Sequence, residues 1–520
     1  MSSTPEQLLS NVPESLQHTV ANYWLDWSAA CEKAGLSPQA ELPEMGMIWA
    51  CSEFVARQCI RRPGMVDELV TEGLEAGRSA EDYQQLVAQA IDAAEPTDEG
   101  LMRALRLLRQ KEMVRIAWRD LAGLAEVEPV LHELSDLAEA MIVQTLDHLY
   151  QQTTEVLGIP TSAEGEAQQM MVLAMGKLGG RELNFSSDID LIFAYAEQGN
   201  TEGGRHLSNH EFFVRLARNL VRLLDEITQD GFVFRVDTRL RPNGDSGPLA
   251  MHFSAMEQYY QMQGRDWERY AMIKARILGG KEADRKYLAS MLRPFTYRRY
   301  LDFGAFESIR EMKGMIEAEV RRKSMRDNIK LGSGGIREIE FIGQTFQLIR
   351  GGPMPELQVR SIMKVLSLLA EFGYLGQEEA EELRQSYVFL RKLENRLQME
   401  RDQQTQTLPR DQLSRERIRL AMGFDDWDSL IQILEQHRQA VSRVFDSVIS
   451  SDEEADTGAI HSLQLFWDDA GNSESLGRWL AESGCENVEE IIDVLARFRN
   501  SARIRTLTAE GTRRLQKLLL

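Results

Sequence analysis

The stretch that decides the fold is GKLGGRELNFSSDIDLIFAY, residues 176–195. It places Asp188 and Asp190 at the head of an apolar run, with the glycine pair Gly179 and Gly180 just upstream. The segment SDIDLIFAY predicts a buried strand. Side chains two apart on a strand point to the same face, so the two aspartates face one way, with Cα atoms roughly 6.6 Å apart.

Two carboxylates placed in this way repel each other, and the pKa of at least one must rise. A divalent cation removes the repulsion, because Mg²⁺ is held by one or two carboxylates together with substrate phosphates. A third ligand is available in GFVFRVDTRLRP, residues 231–242, where Asp237 lies in a predicted strand after a crossover helix. We therefore predict that Asp188, Asp190 and Asp237 are the catalytic residues and bind Mg²⁺ or Mn²⁺.

The same spacing occurs in GFDDWDSLIQIL, residues 423–434, which serves as an internal control. Two aspartates at this spacing arise by chance about once or twice in a chain of ~500 residues, so the spacing alone is a weak signal. Asp426 and Asp428 precede a helical repeat without a strand, and we interpret them as helix N-terminal charges. Asp188 and Asp190 differ from this control pair because they lie in a predicted strand and have Asp237 as a possible third ligand.

The known phosphate-binding motifs are absent around residues 171–180. Met171 stands where a Walker loop needs its first glycine, Leu178 replaces its Ser or Thr, and the glycines do not have the dinucleotide-binding spacing. Two interpretations of the glycine pair therefore stay open: the glycines let the backbone approach a phosphate closely, or they form an ordinary turn after a strand. The predicted nucleotide- and phosphate-binding residues are Gly179, Gly180, Ser186, Ser187, Arg239 and Arg241, the two arginines being equally compatible with a solvated strand end.

The composition indicates a folded protein with several domains. The 520 residues are 43% hydrophobic, and 60 basic against 81 acidic residues give a net charge of −21, which argues against a groove for long nucleic acid. The four cysteines form no CxxC pair, and no apolar run approaches the ~20 residues of a spanning helix. The N-terminus lacks the features of a signal peptide. We expect a cytoplasmic protein that binds neither membranes nor nucleic acid.

Most of the chain shows the apolar repeat of amphipathic helices, and helices are again expected from about Ser254 onward. An amphipathic helix is predicted over residues 210–229. SSDEEADTGA, residues 450–459, predicts an acidic linker, and the apolar ending GTRRLQKLLL indicates a piece of a longer protein. The strands are predicted in MMVLAMG (170–176), SDIDLIFAY (187–195), GFVFRVDTRLRP (231–242) and GPLAMHF (247–253).

A glycine pair, then SSDID opening a strand, then a separate strand aspartate, resembles the DNA polymerase β-like nucleotidyltransferase superfamily. The sequence is more closely similar, from about Leu101 to beyond residue 450, to the glutamine synthetase adenylyltransferase/adenylyl-removing enzyme family. That family carries two related halves, and this chain, with one SSDID segment, resembles the N-terminal half more. The similar segments are GKLGGRELNFSSDIDLIF, GFVFRVDTRLRPNGDSGPL, GRDWERYAMIKAR and IKLGSGGIREIEFIGQTFQLIRGG.

The resemblance implies an α+β fold, mostly helical, in which a polymerase β-like sheet-and-helix core lies between two helical bundles. The implied domains are an N-terminal helical region (1–125), the nucleotidyltransferase catalytic domain (126–275), a C-terminal helical bundle (276–450), and the acidic linker with the start of a connecting region (451–520). Arg337, Glu338 and Glu340 are implied to line the active cleft; from the residues alone, a helix N-terminus explains the glutamates as well.

The implied reaction is the removal of AMP from the adenylylated tyrosine of glutamine synthetase by Mg²⁺-dependent phosphorolysis, which releases ADP. The implied partners are adenylylated glutamine synthetase, inorganic phosphate, ADP or ATP and, for the full-length protein, a PII signal protein in its uridylylated form. Three alternatives stay open: adenylylation from ATP by the same fold, an RNA-directed nucleotidyltransferase, and a non-catalytic scaffold. The acidic balance argues against RNA, and the three carboxylates argue against a scaffold.

Overall fold

The computed structural model describes residues 6–38, 44–298, 327–468, 473–482 and 487–499, together with Ser501 and Ile504. This part of the chain is mostly helical and contains two small sheets, which confirms the α+β, mostly helical fold class. The helices are α1 (Glu6–Leu9), α2 (Glu14–Ala34), α3 (Met45–Cys51), α4 (Glu53–Arg61), α5 (Met65–Glu72), α6 (Ala80–Asp92), α7 (Asp98–Leu121), α8 (Val127–Leu157), α9 (Gly176–Gly179), α10 (Asn209–Asp225), α11 (Phe253–Met262), α12 (Asp266–Met272), α13 (Glu282–Thr296), α14 (Ile336–Arg350), α15 (Ile362–Glu371), α16 (Gln377–Met399), α17 (Gln412–Met422), α18 (Trp427–Asp468), α19 (Glu474–Glu482) and α20 (Val488–Arg499). The strands are β1 (Ile159–Pro160), β2 (Met170–Ala174), β3 (Ile189–Tyr195), β4 (Thr201–Glu202), β5 (Val236–Asp237), β6 (Ala250–His252) and β7 (Arg276–Leu278).

The chain divides into two compact units, residues 1–300 with 314–441, and residues 301–313 with 442–520. In the second unit, Phe466, Leu476 and Leu480 form a small apolar core with partly buried residues of α20. Every residue of the predicted site lies in the first unit. The domain boundaries at residues 125, 275 and 450 stay a prediction. No helix among the described residues is both long enough and apolar enough to cross a bilayer.

The larger sheet is built around β3. Its strand order is β5-β3-β2-β7, and β6 also pairs with β3; β2 is antiparallel to β3 and β7, whereas β5 and β6 are parallel to β3. Every residue of β2 is buried, and in β3 all but Asp190 are buried. The sheet is therefore covered on both faces, which explains why its strands are continuous apolar runs.

Helix α10 makes the crossover from β3 towards β5. It begins with a capping box, in which the Ser208 hydroxyl accepts from the Glu211 backbone and the Glu211 carboxylate accepts from the Ser208 backbone. Its apolar face, including Phe212 and Leu216, is buried and contacts α8. A helical crossover is what parallel neighbouring strands require, and it brings Asp237 beside β3.

Strands form in all four predicted stretches, at β2, β3, β5 and β6, but the third is shorter than predicted and β7 was expected to be helical. GFVFRVDTRLRP forms only the two-residue strand Val236–Asp237, because the Asp237 carboxylate accepts a hydrogen bond from the Arg239 backbone (2.8 Å) and turns the chain. Arg276–Leu278, expected to continue a helix, forms strand β7. Three residues are too few for their side chains to show a strand period.

The predicted acidic linker at residues 450–459 is helical, since this stretch lies inside α18 (Trp427–Asp468), and its role as a linker stays a prediction. It contains no proline, and its glutamates and alanines are good helix formers. Its one glycine, Gly458, lowers helix stability by about 1 kcal/mol and does not end the helix. Asp426 does cap α18: its carboxylate accepts from the Ser429 backbone at 2.7 Å, as expected for a helix N-terminus.

Gly179→Ala is expected to lower the free energy of unfolding by about 3 kcal/mol, at the upper end for overpacking. A Cβ at this position would lie 2.0 Å from the Lys274 carbonyl oxygen and 2.4 Å from that of Ala174, and neither backbone can move without disturbing the sheet. Gly64→Ala is the control, since its Cβ would meet only Leu36 Cδ1 at 3.7 Å, and we expect a change within about 1 kcal/mol. Urea unfolding of both variants tests this; equal stabilities would contradict it.

Candidate active site

Strands β3 and β5 bring two of the three predicted carboxylates together. Asp190 and Asp237 are paired positions of these parallel neighbours, so their side chains leave the same face of the sheet. Asp188 lies just before β3, where the Ile189 backbone donates to the Arg235 carbonyl at 2.9 Å. Asp188 and Asp190 are both half-buried. The local geometry therefore places the three acidic residues at one edge of β3.

Two of the three carboxylates are held by arginines. Arg235 Nε donates to Asp188 Oδ1 at 2.7 Å, and its Nη2 donates to the Ser186 carbonyl at 2.7 Å. Arg239 Nε donates to Asp237 Oδ2 at 2.9 Å. None of the described residues donates a hydrogen bond to the Asp190 carboxylate or pairs with it. Among the described residues, Asp190 is thus the one of the three carboxylates without a direct hydrogen-bond or ion-pair partner.

The pKa values reflect this asymmetry. Burial, then the charges of Asp237 and Asp188, raise the pKa of Asp190 to about 6, although the more distant cations Lys330 and Arg239 oppose the shift. For Asp237 the hydrogen bond from Arg239 dominates and lowers the pKa. A cation beside Asp190 would relieve the penalty that burial and like charge impose.

The three carboxylates can be compared with what a divalent metal ion requires of its ligands. In the part of the chain that is described, no three His, Cys, Asp or Glu side chains are arranged so that they could hold a metal ion as they stand. The reason is that Asp188 and Asp237 turn towards Arg235 and Arg239. The chemistry of the donors nevertheless fits, because carboxylate oxygens are the ligands that Mg²⁺ and Mn²⁺ prefer and no described residue donates to Asp190. Asp188 can bind a metal through Oδ2 while its Oδ1 still accepts from Arg235, whereas Arg239 donates to both oxygens of Asp237 and competes with a metal there.

Gly176, which was not selected from the sequence, is the described glycine at which an added Cβ would meet Asp190. It has a φ of +54°, and a Cβ there would lie 3.1 Å from Asp190 Oδ2. Glycine at this position keeps the space beside the carboxylate open and permits the left-handed backbone. The predicted pair Gly179 and Gly180 is instead buried, and Gly179 packs against backbone. Their predicted contact with phosphate stays a prediction.

The two predicted serines differ in their surroundings. Ser186 is buried: its backbone N–H donates to Gln398 Oε1 at 2.8 Å, and its hydroxyl accepts from Arg235 Nη2 at 3.1 Å. Ser187 is half-buried. Ser186 thus helps to place Arg235, which in turn holds Asp188. A direct contact of either serine with phosphate stays a prediction.

The two predicted phosphate-binding arginines also differ. The Arg239 side chain is 74% exposed and is the cation beside Asp237. Arg241 is partly buried, and its Nη1 donates to the Thr238 carbonyl at 2.8 Å, so it stabilises its own loop. Of the two, Arg239 is the one that an incoming anion can reach without breaking backbone contacts.

The sequence matches two family models, and the first covers the whole sheet. Residues 42–290 match the glutamate-ammonia ligase adenylyltransferase model, and residues 310–449 match the GlnD PII-uridylyltransferase model. The chain belongs to the glutamate-ammonia ligase adenylyltransferase family. This confirms the family that the sequence segments indicated.

Two members of the glutamate-ammonia ligase adenylyltransferase family match almost the whole chain. A bifunctional glutamine synthetase adenylyltransferase/adenylyl-removing enzyme from Thioalkalivibrio sulfidiphilus is 45% identical over 527 residues, covering 99% of this chain and 54% of the relative. The protein of the same name from Nitrosococcus oceani is 47% identical over 520 residues, covering 98% of this chain and 54% of the relative. The chain therefore spans about half the length of the curated relatives it matches.

A buried ammonium joins the segments that match the glutamate-ammonia ligase adenylyltransferase and PII-uridylyltransferase models. Lys274 Nζ donates to Glu182 Oε2 at 2.7 Å and to Glu340 Oε1 at 2.8 Å, and all three side chains are at most 15% exposed. Burial alone would raise the pKa of Glu340, but Lys274, Lys330 and Arg391 together lower it to about 2, with Lys274 contributing most. Glu340 thus bridges α14 to the sheet.

The other two residues implied to line the cleft lie at the start of α14. Glu338 Oε2 accepts from the Gly334 backbone at 2.9 Å, as a carboxylate near a helix N-terminus does. Arg337 is half-buried. For this family member, the described contacts of Glu338 and Glu340 are structural, and a role of Arg337, Glu338 or Glu340 in the cleft stays a prediction.

Proposed function

We propose that this chain removes AMP from an adenylylated tyrosine of glutamine synthetase by phosphorolysis and releases ADP. The relatives' names combine adenylyltransferase and adenylyl-removing enzyme, and the sequence resembles the N-terminal, adenylyl-removing half more. The observation that carries the proposal is the Asp190–Asp237 pairing, in which no described residue donates a hydrogen bond to the Asp190 carboxylate. Such a site suits the transfer of a nucleotidyl group, in which negative charge must be neutralised.

In the proposed reaction, an oxygen of inorganic phosphate attacks the AMP phosphorus and the tyrosine oxygen leaves. One phosphorus–oxygen bond forms as the other breaks, and the products are ADP and the free tyrosine. Mg²⁺ or Mn²⁺ held by Asp188, Asp190 and Asp237 would supply charge stabilisation for this in-line displacement. Phenol has a pKa near 10, so the tyrosine oxygen is a better leaving group than an alkyl alcohol.

The chain's own residues would bind and orient the anions. Arg239, exposed beside Asp237, would bind the incoming phosphate, and Arg235 would become available when Asp188 turns to the metal. Gly176 would keep the space beside Asp190 open. A planar guanidinium suits a phosphate because it donates two parallel hydrogen bonds.

The test is to incubate the chain with adenylylated glutamine synthetase, Mg²⁺ and phosphate, and to measure ADP. We expect ADP to appear only when phosphate is present, together with loss of AMP from the synthetase. The alternative is adenylylation from ATP, which the relatives' names also include. Incorporation of AMP from ATP without any release of ADP would select this alternative.

We also propose that the reaction takes place in the cytoplasm and that a uridylylated PII signal protein regulates it. The match of residues 310–449 to the PII-uridylyltransferase model supports a link to PII signalling. Binding of uridylylated and unmodified PII to the full-length protein, compared at equal concentrations, tests the proposal. Equal affinity for the two forms would contradict it.

Arg239→Gln is expected to raise the KM for inorganic phosphate about tenfold or more and to change kcat much less, because a charge-assisted hydrogen bond contributes about 1.5–3 kcal/mol. Arg222→Gln is the matched control, because Arg222 is an exposed arginine that pairs with Asp98 on the surface. Steady-state kinetics with varied phosphate provide the measurement. An unchanged KM would remove Arg239 from the phosphate site.

A further inference from the structure

A cavity lies where four segments of the first unit meet, one of them residues 230–232. It has a volume of about 420 Å³ and lies between α4, α7 and the residues that follow α16, with Phe232 in its wall. None of the predicted site residues lines it. The volume falls within the ~300–1,000 Å³ of small-molecule sites.

The cavity is rich in arginine. Its wall carries four guanidinium groups against the carboxylates of Glu53, Asp230 and Asp402, an excess of one positive charge. The Arg57 and Arg401 guanidinium groups both pair with Glu53 and are 71% and 50% exposed, so an anion can reach them. The four arginines are Arg57, Arg61, Arg109 and Arg401.

Buried polar atoms in this wall lack partners among the described residues. Arg109 is 3% exposed; its two terminal nitrogens donate to Asp402 at 2.6 and 3.0 Å, but its Nε has no acceptor. Gln110 is 4% exposed and donates to the Asp230 carbonyl at 2.6 Å, which leaves its Oε1 without a donor. Gln58 Oε1 is also buried and has no donor among the described residues. Buried polar groups of this kind are normally satisfied by protein, water or ligand, so this wall has unused hydrogen-bonding capacity.

We propose that this cavity binds an organic phosphate, a phosphate monoester whose remaining part carries hydroxyl or amino hydrogens. The guanidinium groups supply the donors that a phosphate needs, in the planar arrangement that favours bidentate hydrogen bonds. Gln58 and Gln110 accept from the hydroxyl or amino groups of the same molecule.

The cavity has a contact path to the carboxylates. Arg109 lies over the Phe232 ring at 4.9 Å from its centroid, and Arg235 lies over the same ring at 5.1 Å. Arg235 in turn holds Asp188. A phosphate that shifts Arg109 therefore perturbs the residue that positions Asp188, which makes the cavity a regulatory site. This link, unlike the binding itself, rests on the proposed function of the carboxylates.

The test is calorimetric titration of the whole chain with ribose 5-phosphate, with sodium sulfate as a probe of charge alone. We expect saturable 1:1 binding of ribose 5-phosphate below 1 mM and at least tenfold weaker binding of sulfate. The double variant Arg57→Gln/Arg401→Gln should bind at least tenfold more weakly, because two exposed donors are lost while the fold keeps Arg109. Arg222→Gln should bind like the unaltered chain.

Two results would overturn the binding site: no saturable heat up to about 10 mM, or equal affinities for the sugar phosphate and sulfate, the behaviour of a nonspecific anion site. The double variant Asp188→Asn/Asp190→Asn separates the two sites. It should retain ribose 5-phosphate binding, and loss of binding there would place the ligand at the carboxylates instead. The regulatory link predicts that ribose 5-phosphate changes Mn²⁺ affinity at least twofold, and an unchanged affinity would overturn the link alone.

Discussion

Asp190→Asn is expected to lower the rate of phosphate-dependent ADP release by about 10³-fold or more, because the reaction loses several kcal/mol of charge stabilisation when a metal ligand is removed. Asp190 is the carboxylate without a partner in the described structure, whereas Asp188 and Asp237 are held by arginines. The same substitution should stabilise the metal-free protein by about 1–2 kcal/mol, since a partly buried charge next to two others is replaced by a neutral group.

The matched control for this prediction is Asp428→Asn, which alters an aspartate of the same sequence spacing at the start of α18. We expect this variant to retain full activity. ADP release by a coupled assay and thermal unfolding without divalent metal give the two readouts. An Asp190→Asn variant with more than about a tenth of the original rate would show that the carboxylates are not the catalytic centre.

Lys274→Met is expected to lower the free energy of unfolding by about 3–5 kcal/mol, because it leaves two carboxylates buried without a cation. Lys274 is 5% exposed, and its ammonium lies 2.7 Å from Glu182 and 2.8 Å from Glu340. Lys286→Met is the control, since Lys286 pairs with Glu282 on the surface, where both side chains are mostly exposed. A surface pair of this kind contributes at most about 1 kcal/mol. Urea unfolding at pH 7 distinguishes the two variants.

The loss of stability in Lys274→Met should depend on pH. In the folded protein the pKa of Glu340 lies at about 2, below its ordinary value of 4.5. A carboxylate with a lowered pKa contributes stability that is fully present above the unfolded pKa and is lost as the pH falls towards the folded pKa. The difference between the two proteins should therefore shrink from about pH 4.5 downwards. A difference that stays constant from pH 7 to about 3.5 would contradict the ion pair.

Features that depend on a local sequence pattern, such as strand β3 and the acidic residues beside it, could be predicted from the sequence. The apolar run of β3 and the acidic positions 188, 190 and 237 predicted a strand and a pairing of acidic residues, and the register of β3 with β5 shows that Asp190 and Asp237 are neighbours. Arg235 was missed, although it stands two positions before Asp237 in a predicted strand, and hence on the same face. That spacing was the signal that could have indicated a cation beside the carboxylates.

Other features could not be predicted because they depend on residues far apart in the chain. The sequence around Lys274 predicts a helix, and no residue near it in the chain indicates that its ammonium pairs with Glu182 and Glu340. Gly176, the glycine that borders Asp190, was not selected from the sequence for a related reason. Glycine is required at position 176 because of its positive φ angle and because of the Asp190 side chain, fourteen residues later in the chain. Neither the angle nor the contact can be predicted from the local sequence.

The ammonium shared by Glu182 and Glu340 has a consequence for the evolution of the family. The two family models meet between residues 290 and 310, but a buried charge set crosses that boundary. Recombination between relatives at this point must exchange all three charges together, because a donor that brings only one carboxylate or only the lysine leaves an ion without a counterion in the interior. The segment that carries the sheet and helix α14 are thereby constrained to be inherited together.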